Sequence, residues 1–396
     1  MLPALLQRRA RSARGAAPHS MLRPTVASVA VLALVLAACG GGDNATSTTS
    51  STLAATTATT STTDAAADTT GTSAVTDPPT TVVSDTLVSK PGVQPGAPTT
   101  TAVPGPPVYP LTGVLVDDPA VAARPALIVK IDNAPGARPQ TGFNEADIVY
   151  EEIVNDNLTR FAMVFQSHGS NPVGPIRSGR IQDINLFGSL QHPLFSWSGG
   201  NATVTAAIRA SDLVDIGPAR QAVYFRAADR NAPHNLYSNT DALWSKAPAD
   251  VRPPIQQFMY RAADEAVAGT PSQGVGVKLD SIDVRWDWDA ASGLYLRTME
   301  NSKHMDRAGG QVSTNNIVVL VMNYLPGISG SPDAQTLGHG EAFVFTGGNY
   351  IHATWTRLDR LQPFQLTADD GSIVKLTPGR TFIELPRADA TLPFGP

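Results

Sequence analysis

The chain has 396 residues, 42% hydrophobic and 16% charged, with 29 Lys+Arg against 34 Asp+Glu. That apolar content suffices for a sizeable core, and the acidic balance lacks the basic footprint of a nucleic-acid binder. One cysteine, Cys39, excludes an internal disulfide and a cysteine-built zinc cluster.

Arg23 and the apolar run Val26 to Leu36 read as the charged and hydrophobic regions of a secretory signal. The run is too short for a membrane span, which needs roughly 20 residues. It ends in Leu36-Ala37-Ala38-Cys39, the pattern of a bacterial lipobox. Cleavage before Cys39 and attachment of a diacylglycerol to its thiol would anchor the protein to the outer face of the cytoplasmic membrane. Two acyl chains, at ~0.8 kcal/mol per buried CH₂, hold firmly where one is marginal. Residues 1–38 are therefore expected to be a lipoprotein signal peptide, with Met21 an alternative start to Met1. Its removal takes five arginines and no acidic residue, leaving 24 basic against 34 acidic residues, a formal charge of −10. Residues 39–108 are mostly Thr, Ser, Ala, Pro and Gly, too poor in large apolar side chains to offset ordering entropy. They are expected to be a disordered tether with a mean span of about 45 Å.

Folded sequence is expected from 109 to 396, with a seam at Ala262 to Gln273 dividing 109–268 from 269–396. Ala126 to Asp132, Asp147 to Val154 and Thr159 to Gln166 are strand candidates, the last two joined by a turn at Asn155-Asp156-Asn157. The apolar spacing of Ile181, Ile184 and Leu186-Phe187 predicts a helix over Ser178 to Leu190. Leu194 to Ser198 predicts a strand, followed by Gly199-Gly200-Asn201 and a helix through Arg209. Asn239 or Thr240 can cap a short helix carrying Leu243 and Trp244. Beyond the seam, Ile282, Val284, Trp286 and Trp288 share one strand face, opposite Asp283, Arg285, Asp287 and Asp289. Ile317 to Met322 is apolar throughout, the pattern of a strand covered on both sides. Gly347-Gly348-Asn349 marks a hairpin between Ala342–Phe345 and Tyr350–Arg357. Thr381 to Leu385 is the last strand. The fold class is α+β. An N-terminal mixed sheet with packed helices, a layered α/β sandwich, precedes a mainly antiparallel β domain.

A family resemblance rests on motifs in order along the folded part. ARPQTG at Ala137 to Gly142, ADIVYE at Ala146 to Glu151, TRF at Thr159 to Phe161, GPIRS at Gly174 to Ser178 and HNLY at His234 to Tyr237 resemble the YerB-like lipoproteins. NNIVVL at Asn315 to Leu320, GHGEAFVF at Gly338 to Phe345 and PGRTFIEL at Pro378 to Leu385 resemble that family's C-terminal domain. The resemblance covers nearly everything from Pro110 onward. It implies a lipid-anchored extracellular protein with an α+β first domain and a β second domain. The family is of unknown function, so it implies no activity.

Chemistry is best concentrated in Arg177, Arg180 and Gly199-Gly200-Asn201. Three residues apart at a helix start, the arginines can face one way. A strand–Gly-Gly–helix junction offers backbone N–H groups and the positive end of a helix dipole. The expected ligand is an anion, a carboxylate or a phosphate. The alternative is that both arginines pair structurally with Glu145, Asp147, Glu151 or Asp183. Glu151 and Glu152 face opposite sides of their strand, so one is expected to point inward. That carboxylate is a general acid if unpartnered, and structural if Arg160 or Arg177 lies beside it. His234 and Asn235 are candidate walls of the same pocket. Ser198, with His192 or His234 as base, is the nearest approach to a nucleophile. His304 with Asp306, or His339 with His352, are the only metal-ligand pairings, and loop or edge-strand histidines are the plainer reading. Trp286, Trp288 and Trp355 are expected in the core. No metal or cofactor is expected. The reading is a lipid-anchored, non-catalytic envelope module binding an anionic wall-related ligand, a wall polymer, a wall precursor or an envelope protein. The alternative is an envelope-directed hydrolase or transferase using Glu151, Arg177 and His234.

Overall fold

The computed structural model describes residues 106–390. The expected signal peptide, Cys39 and the tether to residue 105 lie outside the described residues. Five strands come from the first half: Leu127–Asp132 (β1), Ile148–Ile153 (β2), Thr159–Phe165 (β3), Leu194–Ser196 (β4) and Val214–Asp215 (β5). Gly274–Leu279 (β6), Ile282–Asp289 (β7) and Leu294–Met299 (β8) follow. The last five are Asn316–Leu320 (β9), Gly338–Thr346 (β10), Asn349–Arg357 (β11), Gln365–Ala368 (β12) and Thr381–Leu385 (β13).

Burial patterns explain where each strand sits. β1, β2, β3, β9 and β13 are buried at every position, as strands covered on both faces must be. They form the middle of an eleven-stranded sheet with the order β12-β11-β10-β9-β13-β2-β3-β1-β4-β5, to which Thr270–Pro271 adds beside β11. In β7, by contrast, Ile282, Val284 and Trp286 are buried while Asp283 and Arg285 are exposed. β6, β7 and β8 belong to a separate five-stranded sheet with one wet face. At the β10–β11 hairpin, Gly347 (φ 55°) and Gly348 (φ 81°) form the two-residue turn, and both need the left-handed region that glycine enters freely.

The chain's last strand holds the two halves of the sequence together. β13 pairs in parallel with β2 on one side (Ile148 opposite Thr381) and with β9 on the other (Asn316 opposite Thr381). The C-terminal half therefore departs from an antiparallel arrangement at its centre, and the sheet runs unbroken across the expected seam. One face of the sheet (Ile128, Tyr150, Val164, Val318, Ile383) packs against Leu186, Phe187, Val204 and Ile208 from the helical segments and against Trp197. The other (Val129, Val149, Phe161, Val319, Phe382) packs against Val275, Val277, Trp286 and Tyr295 of the second sheet. Trp286 and Trp355 are buried as expected, and Trp288 is partly so.

The helix expected over Ser178 to Leu190 breaks into pieces. Only Asp183–Leu186 (α1) is α-helical, followed by a 3-10 turn at Gly188–Leu190. The Asp183 carboxylate accepts the Arg180 backbone N–H at 2.7 Å, so the chain enters the helix at Asp183 rather than at Ser178. Ala202–Ala210 (α2) and Thr240–Trp244 (α3) form where expected. Asn239 occupies the N-cap position of α3, but its side chain makes no capping bond.

Candidate functional site

The site grows from the end of β4. After Ser196 the chain runs through Trp197, whose buried indole donates to Asp215 at 2.8 Å, and turns at Gly199-Gly200 into α2. Gly199 has φ 104°, and a side chain there would project into open space. Asn201 caps α2, its Oδ1 accepting from Val204 N–H at 2.9 Å. The backbone N–H groups of Gly199, Gly200 and Asn201 find no acceptor among the described residues. The Arg177–Arg180 segment lies alongside in extended form, tied to the junction by Ser198 N–H to Arg177 O (2.9 Å) and Gly179 N–H to Gly199 O (3.2 Å). A cavity of about 440 Å³ opens between them, lined by Arg177, Arg180, Gly199, Gly200 and Asn201 together with Arg226. Helical spacing is not what aligns the two arginines, because this segment is not helical; the loop does it.

The charge balance leans positive. Asp132, fully buried at the end of β1, forms ion pairs with Arg160 (3.1 Å) and Arg177 Nε (3.3 Å), bonds His234 Nδ1 (2.7 Å) and accepts Ala134 N–H (3.1 Å). One carboxylate thus faces two guanidinium groups and an imidazole. Burial pushes the Arg160 guanidinium down to about 10, with Asp132 opposing and Arg180 and Arg177 adding to the depression. Burial also lowers Arg180, against Asp183. Both stay charged at neutral pH. The buried Nε of Arg180 has no hydrogen-bond partner among the described residues, and that of Arg177 has only its ion pair with Asp132. The structural alternative, pairing with Glu145, Asp147, Glu151 or Asp183, holds for neither arginine side chain. Arg177 pairs with Asp132, and the Arg180 guanidinium donates to Gly179 O at 3.0 Å.

Other expected residues fall in different places. His234 and Asn235 are not among the residues that line the cavity, although their neighbours Pro233 and Leu236 are. His234 is held by Asp132, and Asn235 accepts from Arg226 at 2.7 Å and so steadies a wall residue. Arg160 sits behind Arg177, on the same carboxylate. Ser198 lines the cavity without a histidine bonded to it, so the nucleophile arrangement is not formed.

Glu151 is not part of this site. It lies on the opposite face of the sheet, where it accepts from Thr159 Oγ1 (2.6 Å), Asn133 (3.2 Å) and the Arg297 guanidinium. The expectation that only one of Glu151 and Glu152 points inward fails because the sheet is covered on both faces; both are fully buried. Glu152 pairs with Lys130, which also reaches Asp183 at 2.9 Å. Burial pushes the Lys130 ammonium down to about 8, against Asp183. A second carboxyl, Glu384 of β13, stands in register with Glu151. Burial, then Glu151, raises Glu384 well above the ordinary glutamate range. The grouping of Glu151, Arg177 and His234 as one catalytic set therefore does not form.

The histidine pairings are likewise accounted for. His304 is buried, not a loop residue at the surface: its ring bonds Arg297 (2.6 Å) and Gln140 (3.0 Å) and meets Phe143 edge-on. Asp306 accepts backbone N–H groups from Gly142 and Phe143. His352 is bonded by Asp369 and Glu341. Among the described residues no group of three or more His, Cys, Asp or Glu is placed to hold a metal ion.

Mixed sheet and sparse helix define a two-part α+β protein. The chain belongs to the family described as protein of unknown function DUF3048. Residues 111–252 match its N-terminal domain and residues 275–383 its C-terminal domain. YerB of Bacillus subtilis (strain 168), named as a lipoprotein, is 28% identical over 294 residues, covering 71% of this chain and 87% of that one. The crystal structure of the YerB protein from Bacillus subtilis has a TM-score of 0.64 at 24% identity, covering 72% of this chain and 99% of that chain. The fold is thus shared with it, and the YerB-like resemblance of the sequence motifs holds.

Proposed function

We propose that this chain is a lipid-anchored protein of the bacterial envelope whose folded part captures an anionic ligand in the Arg177–Arg180 cavity. The observation that carries the reading is the convergence of Arg177, held in an ion pair by Asp132, and Arg180, whose buried Nε has no hydrogen-bond partner among the described residues, on a glycine junction whose N–H groups find no acceptor among them. Such donors match a phosphoryl or carboxylate group. A wall polymer, a wall precursor or an acidic group on an envelope protein would each present one. No catalytic step is part of this reading.

Removing both arginines tests it. Hydrogen bonds to charged groups contribute about 1.5–3 kcal/mol each, so Arg177→Ala with Arg180→Ala is expected to weaken inorganic phosphate binding by about 100-fold or more. Titration calorimetry at fixed ionic strength measures this, and an unchanged affinity would end the proposal. The anchor is supported by the lipobox at Cys39 and by the lipoprotein name of YerB. Among the described residues no helix is long and apolar enough to cross a membrane. Cys39→Ser is accordingly expected to move the protein from the membrane pellet to the soluble fraction of fractionated cells. Retention in the pellet after a carbonate wash would contradict the anchor.

A further inference from the structure

Part of the cavity wall, Ile328, Ser329 and Ser331, comes from a distant part of the chain. Residues 327–331 fold over the opening as a short 3-10 turn, closed by Gly327 N–H to Ser331 O at 2.8 Å. Ser329 is pinned there by Asn201, whose Nδ2 donates to its Oγ at 3.1 Å. Ser331 lines the cavity, is 5% exposed, and its buried Oγ has no hydrogen-bond partner among the described residues. An unpaired buried hydroxyl is unfavourable, and native structures rarely leave one without a reason.

Ile181, Val204, Pro233, Leu236 and Ile328 supply the apolar part of the lining. Ser178, Ser198, Ser329, Ser331 and Asn155 add four hydroxyls and an amide to the arginine end. Among the described residues no aromatic side chain lines the cavity, so they offer no platform on which a nucleobase or an aromatic acid would stack. Its 440 Å³ lies within the range of small-ligand sites and exceeds what a bare phosphate fills.

Resting on the anion-capture reading above, we infer that the ligand is a phosphate ester of a polyol or sugar. Its phosphoryl group sits on Arg177, Arg180 and the Gly199-Gly200 junction, and its hydroxyls face Ser331 and the neighbouring hydroxyl wall. The hydroxyl wall, not the arginines, then discriminates the ester from bare phosphate. Two or so added hydrogen bonds correspond to about tenfold in affinity.

The test uses the full chain and four probes: inorganic phosphate, glycerol 3-phosphate, the diester glycerophosphoglycerol and adenosine 5′-monophosphate. Calorimetry is expected to show at least one polyol ester binding about tenfold more tightly than inorganic phosphate, with the nucleotide no better than phosphate. Tighter binding of the diester points to a polymer as source, and of the monoester to a free phosphorylated polyol. In Ser331→Ala the ester-to-phosphate ratio is expected to fall to about threefold or less, while the melting temperature stays equal or rises because an unpaired hydroxyl is gone. A ratio near one in the unaltered protein, a ratio that survives Ser331→Ala, or a nucleotide that outbinds both esters overturns the inference and leaves anion capture standing. Failure of all four probes to bind overturns both.

Discussion

Arg297→Met is expected to destabilise the protein by about 3–5 kcal/mol at neutral pH, since breaking a buried ion pair strands the partner charge. Arg297 is fully buried between the two sheets, donating to Glu151 and His304 and lying 3.8 Å from Glu384. Glu384 in turn accepts the Trp286 indole N–H at 2.9 Å. Burial and then Glu151 raise Glu384, and Arg297 opposes that rise. Without it the rise of Glu384 loses its largest opposing influence.

The pH dependence has a definite sign. A carboxyl whose folded pKa is raised binds more protons folded than unfolded, so its contribution to stability falls as pH rises from the ordinary glutamate value through the folded one. In Arg297→Met the charge that opposes the rise of Glu384 is gone. The loss is therefore expected to be small near pH 4 and to grow toward pH 7. Glu384→Gln, which fixes the protonated shape, is expected to leave neutral-pH stability unchanged or slightly raised. Urea unfolding at the two pH values measures both. An Arg297→Met loss that is equal at both, or below about 1 kcal/mol at neutral pH, would show that the cluster does not carry this charge.

What could be read from the residues, and what could not, divides along sequence distance. β1, β9 and β7 were legible because burial on two faces or one writes itself into consecutive residues. The arginine–glycine end of the cavity was legible for a similar reason: Arg177, Arg180 and Gly199-Gly200-Asn201 lie within 25 positions of one another and meet through a strand-to-helix turn. Ser329 and Ser331 sit in an unremarkable polar loop more than a hundred residues on, and nothing near them in the chain points to Arg177. Glu384 escaped because its neighbour is set by the parallel register of the last strand against β2, which no local pattern encodes. The helix expected over Ser178 to Leu190 failed differently. Its apolar spacing is helical, but Gly179 packs against Trp197 and Gly188 against Arg360, and those tertiary contacts override the period.

Asp132→Asn is expected to be the second large perturbation, and it ties the cavity to the fold. The substitution keeps the shape and one acceptor but removes the carboxylate shared by Arg160, Arg177 and His234. Arg160 is 6% exposed, so its uncompensated charge should reduce stability by about 3–5 kcal/mol. Arg177 is more exposed and contributes less. A bound anion would restore part of the missing negative charge, because Arg177 faces both Asp132 and the cavity. Ligand binding to the folded state stabilises it by about 2.7 kcal/mol at a hundredfold excess over Kd, and tighter binding raises that at fixed concentration. Inorganic phosphate is therefore expected to raise the melting temperature of Asp132→Asn by more than it raises that of the unaltered protein, at matched ionic strength. A shift no larger than in the unaltered protein would mean that Asp132 and the cavity do not share a field. The arginines would then be anchored by the fold alone, and the anion would add nothing that Asp132 supplies.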